Sequence, residues 1–108
     1  LIRSYFSVRH RDNPGLGCPS SAVAAEVARH SQAVREAYTV GVNEFVELAA
    51  TQWADLSPAG ARARAIALYG LMAGAMQVAR ATSDAAVSEE VLAAGRAAAL
   101  ELAGLGEG

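Results

Sequence analysis

Apolar positions recur at helical spacing along almost the whole chain, and period-2 alternation is hard to find. Five helical segments follow from this pattern. The first runs from the start to about His10 and stops in Arg11-Asp12-Asn13-Pro14-Gly15, a cluster of breakers. The second opens at Cys18-Pro19, with proline suited to the first helical position and Cys18 as its N-cap. It carries Ala22, Val23 and Val27 and ends near His30. The third starts at Ser31 and continues to about Trp53. Its stripe is Val34, Tyr38, Gly41, Phe45, Leu48 and Gln52, widened by Val42, Val46, Ala49 and Trp53. The fourth is capped by Ser57, with Pro58 just inside, and reaches Thr82. The fifth starts at Ser88, with Glu89 and Glu90 in a first turn whose dipole favours acids. It holds Val91, Leu92, Gly95, Leu100 and Leu102 before a tail, Gly104 to Gly108, that is expected to fray. The expected fold is all-α, a bundle of about five helices in one domain spanning residues 1–108.

The fourth segment constrains function most. From Ile66 to Ala79 its only polar side chains are the hydroxyl of Tyr69 and the amide of Gln77. Gly70 and Gly74 sit four apart on one face, near Ala67, Ala73 and Ala81. A helix this apolar must be covered on most sides. A short chain has few helices for the task, so a second copy is expected to supply some. The candidate dimer interface is Ala67, Gly70, Gly74, Gln77, Val78 and Ala81, continued by Val91, Leu92 and Gly95 on the fifth segment. The short connection around Asp84 makes these two segments an antiparallel hairpin.

Composition agrees with helices and removes some functions. The 108 residues are enough for one core, 53% of them are apolar, and about a quarter are alanine. The net charge is −2, with nine arginines and no lysine, and no face collects the basic cluster that nucleic-acid binding needs. The chain alone is therefore not expected to grip DNA or an anionic membrane. No apolar run reaches the ~18 residues of a membrane span. A single cysteine excludes an internal disulfide and suits a reducing cytoplasm. The opening Leu1-Ile2-Arg3-Ser4-Tyr5-Phe6 reads as the interior of a helix, so an N-terminal portion is expected to precede it.

Candidate chemistry is sparse. Cys18 at a helix N-cap sits where the dipole favours thiolate, with His10 and Arg11 a few residues upstream. An electrophile or oxidant sensor is one reading, and a small residue filling a helix junction is the plainer one. A Cys18, His10 and Asp12 triad can be written down, but nothing fixes its geometry and no oxyanion site accompanies it. The chain is accordingly not read as an enzyme. Glu26 and His30 are an i, i+4 pair, which suits a solvated helix face better than a metal site. No metal and no cofactor are expected. Tyr5, Phe6, Tyr38, Val42, Phe45, Trp53, Tyr69, Met72 and Met76 include the bulky side chains of a chain otherwise built from alanine and valine. They either line a ligand cavity or simply fill the core. Arg80 suits the end of its helix, where a cation is favoured.

Two stretches carry a resemblance. One is His10-Arg11-Asp12-Asn13-Pro14-Gly15-Leu16-Gly17-Cys18-Pro19 followed by Ala24-Ala25-Glu26-Val27-Ala28-Arg29. The other runs from Ala65-Ile66-Ala67-Leu68-Tyr69-Gly70 to Ala81, with Asp84-Ala85-Ala86-Val87-Ser88-Glu89-Glu90-Val91-Leu92 after it. In order and spacing they resemble the middle and end of a TetR/AcrR-type bacterial transcriptional regulator, over nearly the whole chain. The resemblance implies an all-α regulatory domain that binds an inducer in a cavity. It also implies a homodimer joined through the last two helices as a four-helix bundle, and an N-terminal helix-turn-helix domain that reads DNA. No part of this chain matches that helix-turn-helix, so operator DNA is a partner only through a domain outside it. The expected function is effector binding and dimerisation in a ligand-relieved repressor, with a small, mostly apolar effector. The alternatives are a thiol-based sensor acting through Cys18 and a helical scaffold with no ligand.

Overall fold

A computed structural model describes residues 2–12 and 26–104. Every element among them is helical, and no strand occurs there. The elements are α1 (Ile2–Tyr5), α2 (Val8–Asp12), α3 (Gln32–Ala50), a 3-10 turn (Thr51–Trp53), α4 (Pro58–Ala81) and α5 (Ala85–Leu102). The expected Cys18 cap, Ala22, Val23 and the tail beyond Gly104 lie outside the described residues.

Local chemistry places most helix ends. Ser31 caps α3 by accepting from the Val34 N–H. Ser57 caps α4 by accepting from the Gly60 N–H at 3.1 Å, and Pro58 follows at the first helical position. Thr82 leaves α4 in an extended conformation, while its N–H and hydroxyl both bond to the Val78 carbonyl. Gly104 closes α5 with φ +77°, a backbone state that glycine adopts without strain.

Three sequence expectations need correction. The fifth helix starts one turn earlier than Ser88. Asp84 caps it, its carboxylate accepting from the Ala86 and Val87 N–H groups at 2.9 and 3.2 Å. Glu89 and Glu90 therefore fall in the second turn, and Ser88 lies inside the helix at 1% exposure. The first segment is not continuous, because α1 and α2 are separated at Phe6-Ser7. Tyr5 and Phe6 are both buried there. At this break the Phe6 ring turns onto Gly95 and Ala75. The α3 stripe is also rotated. Leu48 is 73% exposed, and Val34, Gly41 and Gln52 also face outward. The inward face is Val42, Phe45, Val46 and Ala49, running on to Trp53 in the turn.

α4 is the central element, packed along α3 on one side and α5 on the other. Its inward row is Ala61, Ala65, Leu68, Met72, Met76 and Ala79, at spacings of three and four. Met76 is fully buried, and Val46 reaches the same core from α3. Residues 2–12 lie across the hairpin, α1 against α5 and α2 against α4. The assembly measures 44 × 41 × 18 Å, a slab with two broad faces. No helix among the described residues is long and apolar enough to cross a membrane.

Gly95 carries a prediction. A Cβ there would stand 2.7 Å from Phe6 Cε1 and 3.0 Å from Ala75 Cβ. Phe6 uses the missing side chain as its seat. Gly95→Val should therefore cost about 1–3 kcal/mol of stability through overpacking. Thermal denaturation checks this, and a variant as stable as the parent would show that Phe6 does not sit there.

Candidate functional site

The outward face of α4 is a stripe without a formal charge. Ala63, Ile66, Ala67, Gly70, Gly74, Gln77, Val78 and Ala81 lie along it, and Ile66 and Val78 are about half exposed. Among the described residues, a Cβ at Gly70 or Gly74 would meet no atom within 4 Å. On α5, Val87, Val91, Ala94 and Ala98 form a second apolar row at helical spacing. Of the expected interface residues, Ala67, Gly70, Gly74, Val78 and Ala81 are exposed, and Gln77 and Val91 are half-buried. Leu92 and Gly95 turn inward, packed within the same chain, and Ala73 is buried as well.

The bulky side chains divide into two groups. Tyr5, Phe6, Trp53, Met72 and Met76 are buried and belong to the main core. Tyr38, Val42, Phe45 and Tyr69 are half-buried between α3 and α4. The hydroxyls of Tyr38 and Tyr69 hydrogen-bond to each other at 2.5 Å. The Phe45 and Tyr69 rings meet edge to face, their centroids 5.4 Å apart. Tyr38 also forms a wall of a cleft of about 320 Å³ between residues 27–28 and the first turns of α3, where Arg35 and Glu36 stand. The arrangement places aromatic faces and hydroxyls at the edge of an apolar core, and the cleft beside Tyr38 is lined mainly by polar side chains, Gln32, Arg35, Glu36 and Thr39 among them.

A second cleft, of about 390 Å³, opens where α2 meets the α4–α5 turn. Arg11, Asp12, Arg80, Thr82, Ser83 and Ser88 contribute its polar groups. Arg11 donates from Nη1 to Ser88 Oγ at 2.6 Å, and Ser88 Oγ donates onward to the Ala79 carbonyl at 2.7 Å. Arg80 Nε donates to the Arg11 carbonyl at 3.0 Å. Arg11 Nε and Nη2 grip the exposed Asp12 carboxylate at 2.9 and 3.3 Å. That hydrogen-bonded pair holds the Asp12 carboxyl below its ordinary range and raises Arg11.

The sequence reading missed this cluster. Ser88 resembles a cap, and no local signal marks it as buried. Arg80 does sit in the last turn of α4, as its position at a helix end suggests, but its Nε bonds to α2. Glu26 and His30 are both exposed. Among the described residues no group of three or more histidine, cysteine or acidic side chains is placed to hold a metal. Cys18 and the side chain of His10 lie outside the described residues, and with them the sensor and triad readings. No family model, no curated protein and no solved structure matches this chain.

Proposed function

We propose that this chain is the effector-binding and dimerisation domain of a TetR-type transcriptional regulator, a repressor relieved by a small, mostly apolar ligand. The family rests on the resemblance of the segments around residues 10–29 and 65–92. The observation that carries the functional reading is the uncharged outward stripe of α4 with its two open glycines. An exposed glycine inside a helix costs about 1 kcal/mol relative to alanine. In a chain that is about a quarter alanine, no described residue stands close enough to either position to offset that cost. A second α4 crossing closely at Gly70 and Gly74 would offset it, because interaxial distance depends on the side chains at the crossing. Two helices side by side give a face about 30 Å by 20 Å, or about 600 Å² in projection. That approaches the ~800 Å² per partner of a standard interface. The stripe is its own complement, apolar against apolar, as a two-fold contact requires.

In this reading the effector lies between α3 and α4, against Phe45 and the Tyr38–Tyr69 pair. It favours one arrangement of the dimer over another, and so one spacing of the DNA-reading domains that precede each chain. Two such domains must meet half-sites about 34 Å apart. A coupling of ~1–3 kcal/mol makes a useful switch.

Melting in the presence of a panel of apolar small molecules tests the sensing half. A ligand at a hundred times its Kd adds about 2.7 kcal/mol to the folded state. At least one compound should raise the Tm, and Phe45→Ala should remove that rise. A flat panel would leave the helical scaffold as the better description.

A further inference from the structure

We infer that Arg11, Ser88 and Arg80 form a releasable clamp that fastens residues 2–12 to the α4–α5 hairpin and makes the two move as one body. The segment is attached at two points of different character. Phe6, 3% exposed, is an apolar plug seated over Gly95 and Ala75. Arg11 is a polar tie in which each partner serves another. Its guanidinium holds Ser88, Ser88 holds the Ala79 carbonyl of α4, and Arg80 of α4 returns a bond to the Arg11 carbonyl. Arg11 thus bonds to both helices of the hairpin, to α5 through the buried Ser88 hydroxyl and to α4 through Arg80.

The plug and the tie differ in what can undo them. The plug is shut off from solvent. The Arg11 side chain is 15% exposed and lines the 390 Å³ cleft, and its second partner, Asp12, is 57% exposed. Water or a competing polar group therefore reaches the tie. When the tie opens, Ser88 keeps its bond to Ala79, so the hairpin stays intact while α2 comes free. That ordering is what a coupling element needs: the hairpin is the stable unit, and the short helix is the one that changes state. In the proposed regulator, a point that rests on the functional reading above, the clamp carries hairpin displacement toward the residues before Ile2.

Trypsin tests this on the intact chain. Cleavage after Arg9 requires α2 to detach, whereas cleavage after Arg64 or Arg96 requires α4 or α5 to open. When opening and closing are fast, cleavage rate follows the open population. Arg11→Met should speed cleavage after Arg9 by about tenfold or more, the equivalent of losing about 1.4 kcal/mol, and leave cleavage after Arg64 and Arg96 unchanged. Ser88→Ala should speed cleavage after Arg9 as much, and also loosen the hairpin, because it removes the bond to the Ala79 carbonyl. Arg11→Met is the safer variant, because it keeps the aliphatic stem and leaves Ser88 on Ala79. Unchanged cleavage after Arg9 overturns the clamp. Equal acceleration at all three sites in Arg11→Met overturns it too, since that would make Arg11 an ordinary contributor to global stability. The same assay on Gly74→Arg separates the two readings: loss of the dimer appears in sedimentation, and loss of the clamp appears at Arg9.

Discussion

Gly74→Arg is expected to sediment as a single protomer, or to aggregate, at concentrations where the unaltered chain sediments at twice that mass. The substitution is tolerated within the protomer, because a side chain at this position leaves into open space. In a two-fold dimer the same change places two guanidinium groups in an apolar crossing with no partner, and leaving a charge buried without its counter-ion costs about 3–5 kcal/mol. A milder pair sharpens the test. Gly70→Ala with Gly74→Ala should stabilise the isolated protomer by about 1 kcal/mol per site through helix propensity. The same pair should weaken self-association, because two methyl groups then hold the crossing helices apart. Stability and association moving in opposite directions is the signature of glycines kept for close approach. An unaltered dimer in Gly74→Arg would remove this face from the interface. A parent chain that stays monomeric at high concentration would overturn the dimer.

Met76→Ala should lose about 2–5 kcal/mol, the range for truncating a fully buried long side chain. Met76 is fully buried in the row that α4 turns toward the core. Total stabilities of ~5–15 kcal/mol make this a large fraction. Leu48→Ala is the matched control. Leu48 is 73% exposed, so its removal should stay within about 0.5 kcal/mol. Urea midpoints at constant m-value measure both. If Leu48 proved the costlier loss, the rotation of α3 described above would be wrong.

The contrast between Leu48 and Met76 also shows where sequence reading reaches its limit. Both are large apolar residues at helical spacing. In α4 the glycine pair marked the outward face in advance, whereas Met72 and Met76 stood as either core or cavity lining until packing buried them. In α3 apolar residues cover more than half of the circumference. Two stripes compete there, and packing favours the one centred on Val46, at 1% exposure, over the one centred on Leu48. The aromatic pair Tyr38 and Tyr69 stood out by size alone, but their mutual hydrogen bond joins positions 31 residues apart. The Arg11–Ser88 contact spans 77 residues and leaves no periodic trace.

Information that acts within one turn of chain was legible without coordinates. Ser57-Pro58 starts a helix because a hydroxyl and a fixed φ meet the needs of the first turn wherever they occur. The all-helical class follows from spacing in the same way. Other outcomes waited for distant groups to meet. Asp84 rather than Ser88 caps α5, because Ser88 finds the Ala79 carbonyl across the hairpin. The first segment breaks at Phe6, where the missing side chain of Gly95 makes room for the ring. Each of these turns on a contact between residues far apart in sequence. A buried polar group must find a partner and a large ring must find a void, and only the packed chain decides which ones they are.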